Sequence, residues 1–248
     1  MQFGAITDIG MRRKINEDNY CIHNDELFPY AIVADGMGGH QAGEVASVMV
    51  IDIIEEYLEK NLNASLDYVE AGETVRQSFI SANSIIYNYA KKNYKIMGMG
   101  TTTTMAMLYR DKIITAHVGD SRAYEIKNGI RQITKDHSYV QELVSRGEIS
   151  PEMAKNHPKK NYITRAMGAE ETVKVDISIR PYTGGTIVLC SDGLTNMVED
   201  EEILAYIKNG PTLQESAEKL TALANERGGL DNITIVAFGK GESNDEPR

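Results

Sequence analysis

Residues 30–39 read YAIVADGMGG, an apolar run that stops at a carboxylate and a glycine-dense turn. Five consecutive uncharged residues predict a buried β-strand, and the Asp-Gly pair predicts the turn that follows it. The pattern recurs along the chain: IITAHV precedes Gly119-Asp120, TIVLCS precedes Asp192, and Asp231-Asn232 immediately precedes ITIVAF. In an antiparallel sheet the end of one strand lies beside the start of its neighbour. We therefore expect Asp35 and these three aspartates to lie on one rim.

The order of the predicted elements indicates the fold class. Helical spacing of apolar residues predicts helices at about 42–60, 67–94, 201–208 and 213–227, and most of the remaining predicted elements are strands. Because this order is not a regular alternation of strand and helix, it favours an α+β fold with antiparallel sheets. We find no internal repeat or linker, so we expect a single domain over residues 1–240 and a disordered polar tail over 241–248.

Composition narrows the class of protein further. The 248 residues are 42% hydrophobic and 25% charged, with a net charge of −10, as expected for an acidic globular protein. An acidic surface repels phosphate backbones, which argues against nucleic acid as a partner but allows a local positive pocket. Cys21 and Cys190 form neither a disulfide framework nor a zinc motif. The absence of a secretion signal and of a bilayer-spanning apolar run predicts a cytoplasmic protein without membrane insertion.

The clustered carboxylates suggest a metal site. Four to six carboxylates at one place repel each other strongly unless a cation is bound between them. Mg²⁺ and Mn²⁺ prefer oxygen ligands of this kind. The candidate residues are the four strand-end aspartates together with Glu17 and Asp18. For any one of them alone a turn role is the simpler explanation, because Asp-Gly is a common turn dipeptide.

Six stretches together resemble a known family. They are TDIGMRRKINED (7–18), VADGMGGHQAGEVAS (33–47), GMGTTTT (98–104), HVGDSRAY (117–124), LCSDGL (189–194) and LDNITIV (230–236). Their content, order and spacing resemble the metal-dependent serine/threonine protein phosphatases of type 2C, especially the small bacterial members. The resemblance implies a central β-sandwich of two antiparallel sheets flanked by pairs of helices, in α-β-β-α layers, with the metals at one rim.

The resemblance also implies roles for the carboxylates. Asp35 matches a carboxylate that bridges two metals, and the carbonyl of Gly36 matches a ligand of the first metal. Asp192 and Asp231 match ligands of the second metal. Asp120 matches a residue that holds a third, weaker ion with help from Asp192. The expected cofactors are accordingly two or three divalent cations, Mn²⁺ or Mg²⁺.

Further residues of the N-terminal loop match family positions. Glu17 and Asp18 match residues that contact the metals directly or through water. Arg13 matches the arginine that binds the substrate phosphate, a task for which a planar guanidinium suits two phosphate oxygens at once. Its neighbour Arg12 is expected to be solvated. The implied mechanism is attack on phosphorus by a hydroxide that bridges the metals, with no covalent phospho-enzyme.

The proton donor to the leaving group is the point at which this chain departs from many eukaryotic relatives. They carry a histidine two residues after the bridging aspartate, where this chain has Met37, and methionine cannot donate a proton. His40 and a metal-bound water are the two alternatives.

The segment 138–165 corresponds to a variable flap beside the active site of the family. It contains a basic stretch with His157, Lys159 and Lys160, which is either a substrate contact or a solvated loop. The implied function is dephosphorylation of phosphoserine and phosphothreonine in proteins, opposing a bacterial serine/threonine kinase. The alternatives are a phosphatase dedicated to one regulator and a non-catalytic phosphoprotein-binding module on the same fold. We expect a monomer.

Overall fold

Two antiparallel β-sheets form the centre of the computed structural model, which describes residues 1–38, 42–93, 96 and 98–239. The strands are β1 (Gln2–Asp8), β2 (Asp18–His23), β3 (Tyr30–Met37), β4 (Gly100–Thr101), β5 (Thr103–Tyr109), β6 (Lys112–Val118), β7 (Arg122–Ile126), β8 (Ile130–Gln132), β9 (Asp176–Pro181), β10 (Thr186–Cys190) and β11 (Ile233–Gly239). The helices are α1 (Ala42–Asn61), α2 (Tyr68–Lys92), α3 (Tyr139–Ser145), α4 (Pro151–Lys155), α5 (Asp192–Thr195), α6 (Asp200–Asn209) and α7 (Leu213–Glu226).

The strand order brings together segments that are distant in the sequence. One sheet has the order β1-β11-β10-β7-β8, and the other has the order β2-β3-β5-β6-β9, with the short β4 paired to the end of β3. The N-terminal and C-terminal strands pair along their whole length, from Gln2 opposite Gly239 to Asp8 opposite Ile233. The site residues of the N-terminal loop are thereby placed beside those that precede β11.

The central strands of the two sheets are buried on both faces, which explains why they are mostly apolar runs; they are β3, β5, β6, β10 and β11. In β3, Ile32 packs with residues of α1 and α2, whereas Ala31 and Val33 face the other sheet. In β11, Ile235 packs with residues of α6 and α7, whereas Val236 faces the sheet that contains β3. Two helix layers therefore enclose two sheets, and the predicted α-β-β-α arrangement is confirmed.

Helix α2 shows how local sequence sets an element boundary. The Asp67 carboxylate accepts hydrogen bonds from the backbone N–H groups of Val69 and Glu70, both at 2.8 Å. The Glu70 carboxylate in turn accepts a 2.8 Å bond from the Asp67 N–H. This capping box satisfies N–H groups that have no partner within the helix, so α2 begins at Tyr68.

Two boundaries differ from the sequence prediction. Strand β3 was expected to stop before Asp35, yet it continues to Met37 because Gly36 and Met37 pair with Thr101 and Gly100 of β4. The one-turn helix α5 was not predicted, since four residues are too few to show a helical period. The predicted tail, 241–248, lies outside the described residues.

The layer between the sheets gives a test of the fold. Phe238 is fully buried there and stacks on Phe3 with a ring-centroid distance of 5.5 Å. Replacing Phe238 with Ala leaves a cavity and should lower the free energy of unfolding by about 3–5 kcal/mol. Urea unfolding measures this loss. The control Val69→Ala, at a residue that is 72% exposed, should change stability by no more than about 0.5 kcal/mol. Equal losses in the two variants would contradict the assigned core.

Candidate metal centre

The carboxylates singled out in the sequence lie where strands of both sheets begin or end. In the β2–β3 pair, Asp18 is directly opposite Asp35. Asp120 follows β6, Asp192 follows β10 and begins α5, and Asp231 lies two residues before β11. Because β10 and β11 are antiparallel neighbours, the end of the first lies beside the start of the second. The expected rim of aspartates is therefore present in the described structure.

The electrostatics of this rim are those of crowded, partly buried acids. Burial and then repulsion from Asp18, Asp192, Asp120 and Asp231 raise the pKa of Asp35 well above its ordinary value. The other four aspartates are thus close enough to Asp35 to disfavour its ionised form.

Three neighbours of Asp35 are shifted in the same direction. Burial, reinforced by other carboxylates, raises the pKa of Asp18 to about 7 and the pKa of Asp120 to about 8. Burial and the nearby Asp231 raise the pKa of Asp192 to about 6. A set of acids that resists ionisation near neutral pH is suited to a cation, which would remove the repulsion.

Several carboxylate oxygens at the rim have no well-aligned protein donor. Glu17 Oε1, Asp120 Oδ1 and Asp192 Oδ1 are buried and make no hydrogen bond of acceptable geometry within the part of the chain that the structure describes, although the Gly43 N–H lies near the Glu17 carboxylate. A buried oxygen without a donor is unfavourable, and a hard divalent cation is the ligand that best satisfies such oxygens. The residues present therefore fit the Mg²⁺ or Mn²⁺ that the family implies.

The rim residues fit Mg²⁺ or Mn²⁺ in their chemical type, but they do not surround a single point as the ligands of a bound ion do. Among residues 1–38, 42–93, 96 and 98–239, no three His, Cys, Asp or Glu side chains are grouped so as to hold one ion together. We therefore assign no metal positions.

Arg13 lies directly at this rim. Its Nη2 donates a hydrogen bond of 2.7 Å to Asp231 Oδ2, and its Nη1 is 3.9 Å from Glu17 Oε2. The Arg13 side chain is 45% exposed, so it contacts both the carboxylates and solvent. The predicted phosphate-binding residue and the predicted metal ligand Asp231 are thus brought together.

Close backbone approach holds the loop of Glu17 against the start of α1. The Gly36 N–H donates a 3.1 Å hydrogen bond to the Glu17 carbonyl. A Cβ at Gly36 would lie 2.1 Å from the carbonyl oxygen of Gly43, and a Cβ at Gly43 would lie 2.4 Å from Glu17 Oε1. Only glycine at these two positions allows the three segments to meet.

Asn232 is a positioning residue that sequence reasoning missed. It is buried, and its Oδ1 accepts a 2.9 Å hydrogen bond from the Glu17 N–H. Its Nδ2 donates to the carbonyls of Ile9 and Ile15, each at 3.0 Å. One side chain thereby fixes three points of the loop that carries Arg13. Asn232 lies within the family motif LDNITIV, which could have identified it, but the sequence prediction uses that motif for Asp231 alone.

Ser191 is a second missed residue. Its hydroxyl donates to Asp18 Oδ2 at 2.7 Å and accepts from the Thr234 N–H at 3.0 Å. Asp18 is therefore held between β2, β10 and β11. Its backbone pairing to Asp35 and this hydroxyl together set its orientation at the rim.

In the described structure, the contacts of His157, Lys159 and Lys160 are with other residues of the flap and not with the rim carboxylates. The His157 ring lies 5.9 Å from the Tyr139 ring, and Lys159 Nζ lies 5.2 Å from the centroid of the same ring. Lys160 is exposed and its N–H donates to the His157 carbonyl at 3.0 Å. The proposed substrate contacts of these residues stay predictions. His40 lies outside the described residues.

Both ends of the flap segment are tied to one cluster that the sequence did not suggest. His137 Nδ1 accepts a 3.0 Å hydrogen bond from the Gly119 N–H, next to Asp120. His137 Nε2 lies 3.1 Å from Asp176 Oδ2, and Arg165 Nη1 donates to Asp176 Oδ1 at 2.9 Å. The flap base is therefore connected to the loop that carries the predicted ligand of the third metal.

Comparison with known proteins agrees with this geometry. A family model described as protein phosphatase 2C matches residues 12–229. The chain is 44% identical over 233 residues to the serine/threonine phosphatase stp of Listeria monocytogenes serovar 1/2a, covering 93% of this chain and 92% of that protein. It is 34% identical over 251 residues to the protein phosphatase PhpP of Streptococcus pneumoniae, covering 99% of this chain and 100% of the relative.

Solved structures resemble the fold closely. The serine/threonine phosphatase Stp1 from Staphylococcus aureus superposes with a TM-score of 0.90 at 36% identity, covering 97% of this chain and 95% of that one. The catalytic domain of the serine/threonine protein phosphatase PstP, in complex with two manganese ions, superposes with a TM-score of 0.80 at 35% identity, covering 95% of this chain and 96% of that one.

An α-β-β-α sandwich with carboxylates on one rim is the architecture of the metal-dependent protein phosphatases. The chain belongs to the protein phosphatase 2C family. It is an enzyme of the serine/threonine phosphatase class, and the predicted family, fold and enzyme class are confirmed. No helix in the described part of the chain has a stretch apolar and long enough to cross a membrane.

The raised carboxylate pKa values predict how stability depends on pH without metal. Between an ordinary pKa near 4 and the folded-state values of about 6 to 8, the folded protein binds more protons than the unfolded chain. The contribution of these carboxyl groups to the free energy of unfolding is therefore complete below about pH 4 and decreases as the pH rises. The melting temperature of metal-stripped protein should fall from pH 5 to pH 8, and Mn²⁺ should restore it at pH 8.

Asp120→Asn isolates this effect because the amide does not ionise. Its melting temperature in metal-stripped protein should depend less on pH than that of the parent chain, whereas Glu201→Gln on exposed α6 should follow the parent. Parallel curves for all three proteins would contradict the raised pKa of Asp120.

Proposed function

We propose that this enzyme hydrolyses phosphoserine and phosphothreonine in proteins with two or three divalent cations, Mn²⁺ or Mg²⁺, held at the rim of the sandwich. The observation that carries this proposal is the set of repelling carboxylates with unsatisfied buried oxygens beside a half-exposed arginine. The residues proposed to hold the cations are Asp35, the carbonyl of Gly36, Asp192, Asp231, Asp120, Glu17 and Asp18. Bound divalent cations supply activation of water and neutralisation of phosphate charge.

The two-manganese complex of the PstP domain supports the proposed cofactor. That structure is 35% identical to this chain and covers nearly its whole length. The unsatisfied oxygens at the rim of this chain belong to carboxylates, which are the ligand type that Mn²⁺ and Mg²⁺ share.

Arg13 can pair with the Asp231 carboxylate or with the substrate phosphate. Which of the two it contacts depends on whether a cation neutralises Asp231. It now donates to Asp231 at 2.7 Å, where it offsets part of the carboxylate charge. A cation bound at Asp231 would take over that role and make the guanidinium available for two oxygens of the substrate phosphate. We infer that Arg13 binds and orients the phosphate. Met37 cannot protonate the leaving serine or threonine oxygen, so that proton would come from water at the metals or from His40, the two alternatives given by the sequence.

We propose phosphorylated proteins, including a serine/threonine kinase, as the substrates. The named relatives are a serine/threonine phosphatase and a protein phosphatase, and the chain covers almost all of their length, which supports an active phosphatase over a non-catalytic binding module. Activity toward a panel of unrelated phosphopeptides separates a general enzyme from one dedicated to a single regulator.

Metal dependence is the first test. With p-nitrophenyl phosphate as substrate, turnover should disappear in excess chelator and return with Mn²⁺. Asp35→Asn removes a charge from the centre of the carboxylates and should lower kcat/KM on the order of 100-fold or more. The control Asp52→Asn, on the helix surface of α1, should retain full activity. Full turnover in excess chelator would exclude the proposed chemistry.

The adjacent arginines form a matched pair for testing phosphate binding. Arg13→Ala should lower kcat/KM by about 10- to 100-fold, the amount expected for losing charge-assisted hydrogen bonds. Arg12→Ala should have little effect, because Arg12 is exposed and takes part in none of the ion pairs among the described residues, whereas Arg13 pairs with Asp231. Arg13→Lys should recover only part of the loss, since an ammonium group cannot bind two phosphate oxygens in the same plane. Steady-state kinetics with a phosphopeptide decide the matter, and equal activity of Arg13→Ala and Arg12→Ala would refute the assignment.

A further inference from the structure

A cavity of about 450 Å³ lies beside strands β6, β8 and β9, where the space between the two sheets opens to solvent. Its lining is mainly polar and shares no residue with the carboxylate rim. The residues that matter for its chemistry are Arg76, Lys135, Lys174 and Arg180, the hydroxyl-bearing Thr115 and Ser178, and the buried His117.

The cavity is strongly positive in a chain whose net charge is −10. Within the described residues, Lys135, Lys174 and Arg180 take part in none of the ion pairs. Arg180 donates from Nε to Ser178 Oγ at 2.9 Å, which leaves its Nη groups for another acceptor. Asp176 is the acid of the lining, and its two oxygens already interact with His137 and Arg165.

His117 adds a buried polar atom to the lining. The residue is 2% exposed, and its Nε2 makes no hydrogen bond of acceptable geometry with the described residues, although the backbone carbonyl of Lys135 is nearby. Its Nδ1 lies 2.8 Å from the Thr104 hydroxyl, and the Lys135 carbonyl near Nε2 can only accept a hydrogen bond, so Nε2 carries the ring hydrogen. A buried N–H of this kind suits an anionic oxygen.

We propose that this cavity is a second anion site that binds a small polyanion of the phosphate class. Lys135, Lys174 and Arg180 would neutralise its charge, the Thr115 hydroxyl would hydrogen-bond its oxygens, and the His117 Nε2–H would donate to one of them. Inorganic phosphate and pyrophosphate offer several negative oxygens in a small volume. The acidic surface elsewhere disfavours a long polyanion, so the ligand is a small molecule.

Inorganic pyrophosphate is the probe, measured by calorimetry on full-length protein stripped of metal on a chelating resin. The parent chain should bind it. The double variant K174Q/R180Q should bind pyrophosphate with an affinity lower by on the order of tenfold or more, as expected for losing charge-assisted hydrogen bonds. K208Q, which removes an exposed lysine from α6, should bind like the parent. R13Q should also bind like the parent, because Arg13 does not line this cavity.

Two further measurements keep the test decisive. K174Q/R180Q should retain turnover of p-nitrophenyl phosphate with Mn²⁺, which separates this site from the proposed catalytic one and shows that the variant is folded. The single variant K135Q should also weaken binding. The proposal is overturned by absence of binding to the parent at millimolar pyrophosphate, by equal binding in the parent and K174Q/R180Q, or by loss of binding in R13Q alone.

Discussion

Buried carboxylates at one rim of the sandwich repel each other, and this repulsion links the stability of the folded chain to the binding of cations. Asp18, Asp35, Asp120 and Asp192 all have raised pKa values, for which burial and neighbouring acids are responsible. Such an arrangement opposes folding at neutral pH unless a cation is bound, because the charged forms are poorly solvated. Strongly perturbed acids grouped in this way are typical of functional sites, since a core built for stability alone would contain apolar residues or amides there.

The sandwich can hold these acids because they continue the faces that form its core. Along β3, Ala31 and Val33 face the opposite sheet, and Asp35 is the next residue with the same alternation. Asp18 occupies the equivalent position in β2, opposite Asp35. A shift of register by one residue would turn the apolar set and the carboxylate to the other face together. The buried faces on both sides of the sheet therefore fix the position of the acids as firmly as they fix the core.

The sequence was informative where chemistry and local pattern coincide in short segments. The aspartates could be identified because each adjoins an apolar strand, and the six motifs occur in the order of the family. Asn232 and Ser191 were missed because their roles depend on partners more than 170 positions away, which only the pairing of β1, β10 and β11 brings close. The continuation of β3 through Gly36 was missed for a related reason. Its partner β4 is a two-residue strand too short to be recognised, so the glycine was interpreted as a turn.

The net charge of the sequence indicates an acidic surface, but it does not reveal the basic cavity between the edges of the two sheets. Its cations come from Arg76, Lys135, Lys174 and Arg180, of which the first and last are more than a hundred positions apart and meet only in the folded chain. Charged residues on edge strands also prevent unwanted pairing between molecules, and that role accounts for Arg180 on β9. It does not account for His117, which lies on the interior strand β6, is 2% exposed and lines the same cavity. A buried imidazole does not face solvent and so cannot prevent pairing between molecules, whereas in an anion site it would contact the ligand.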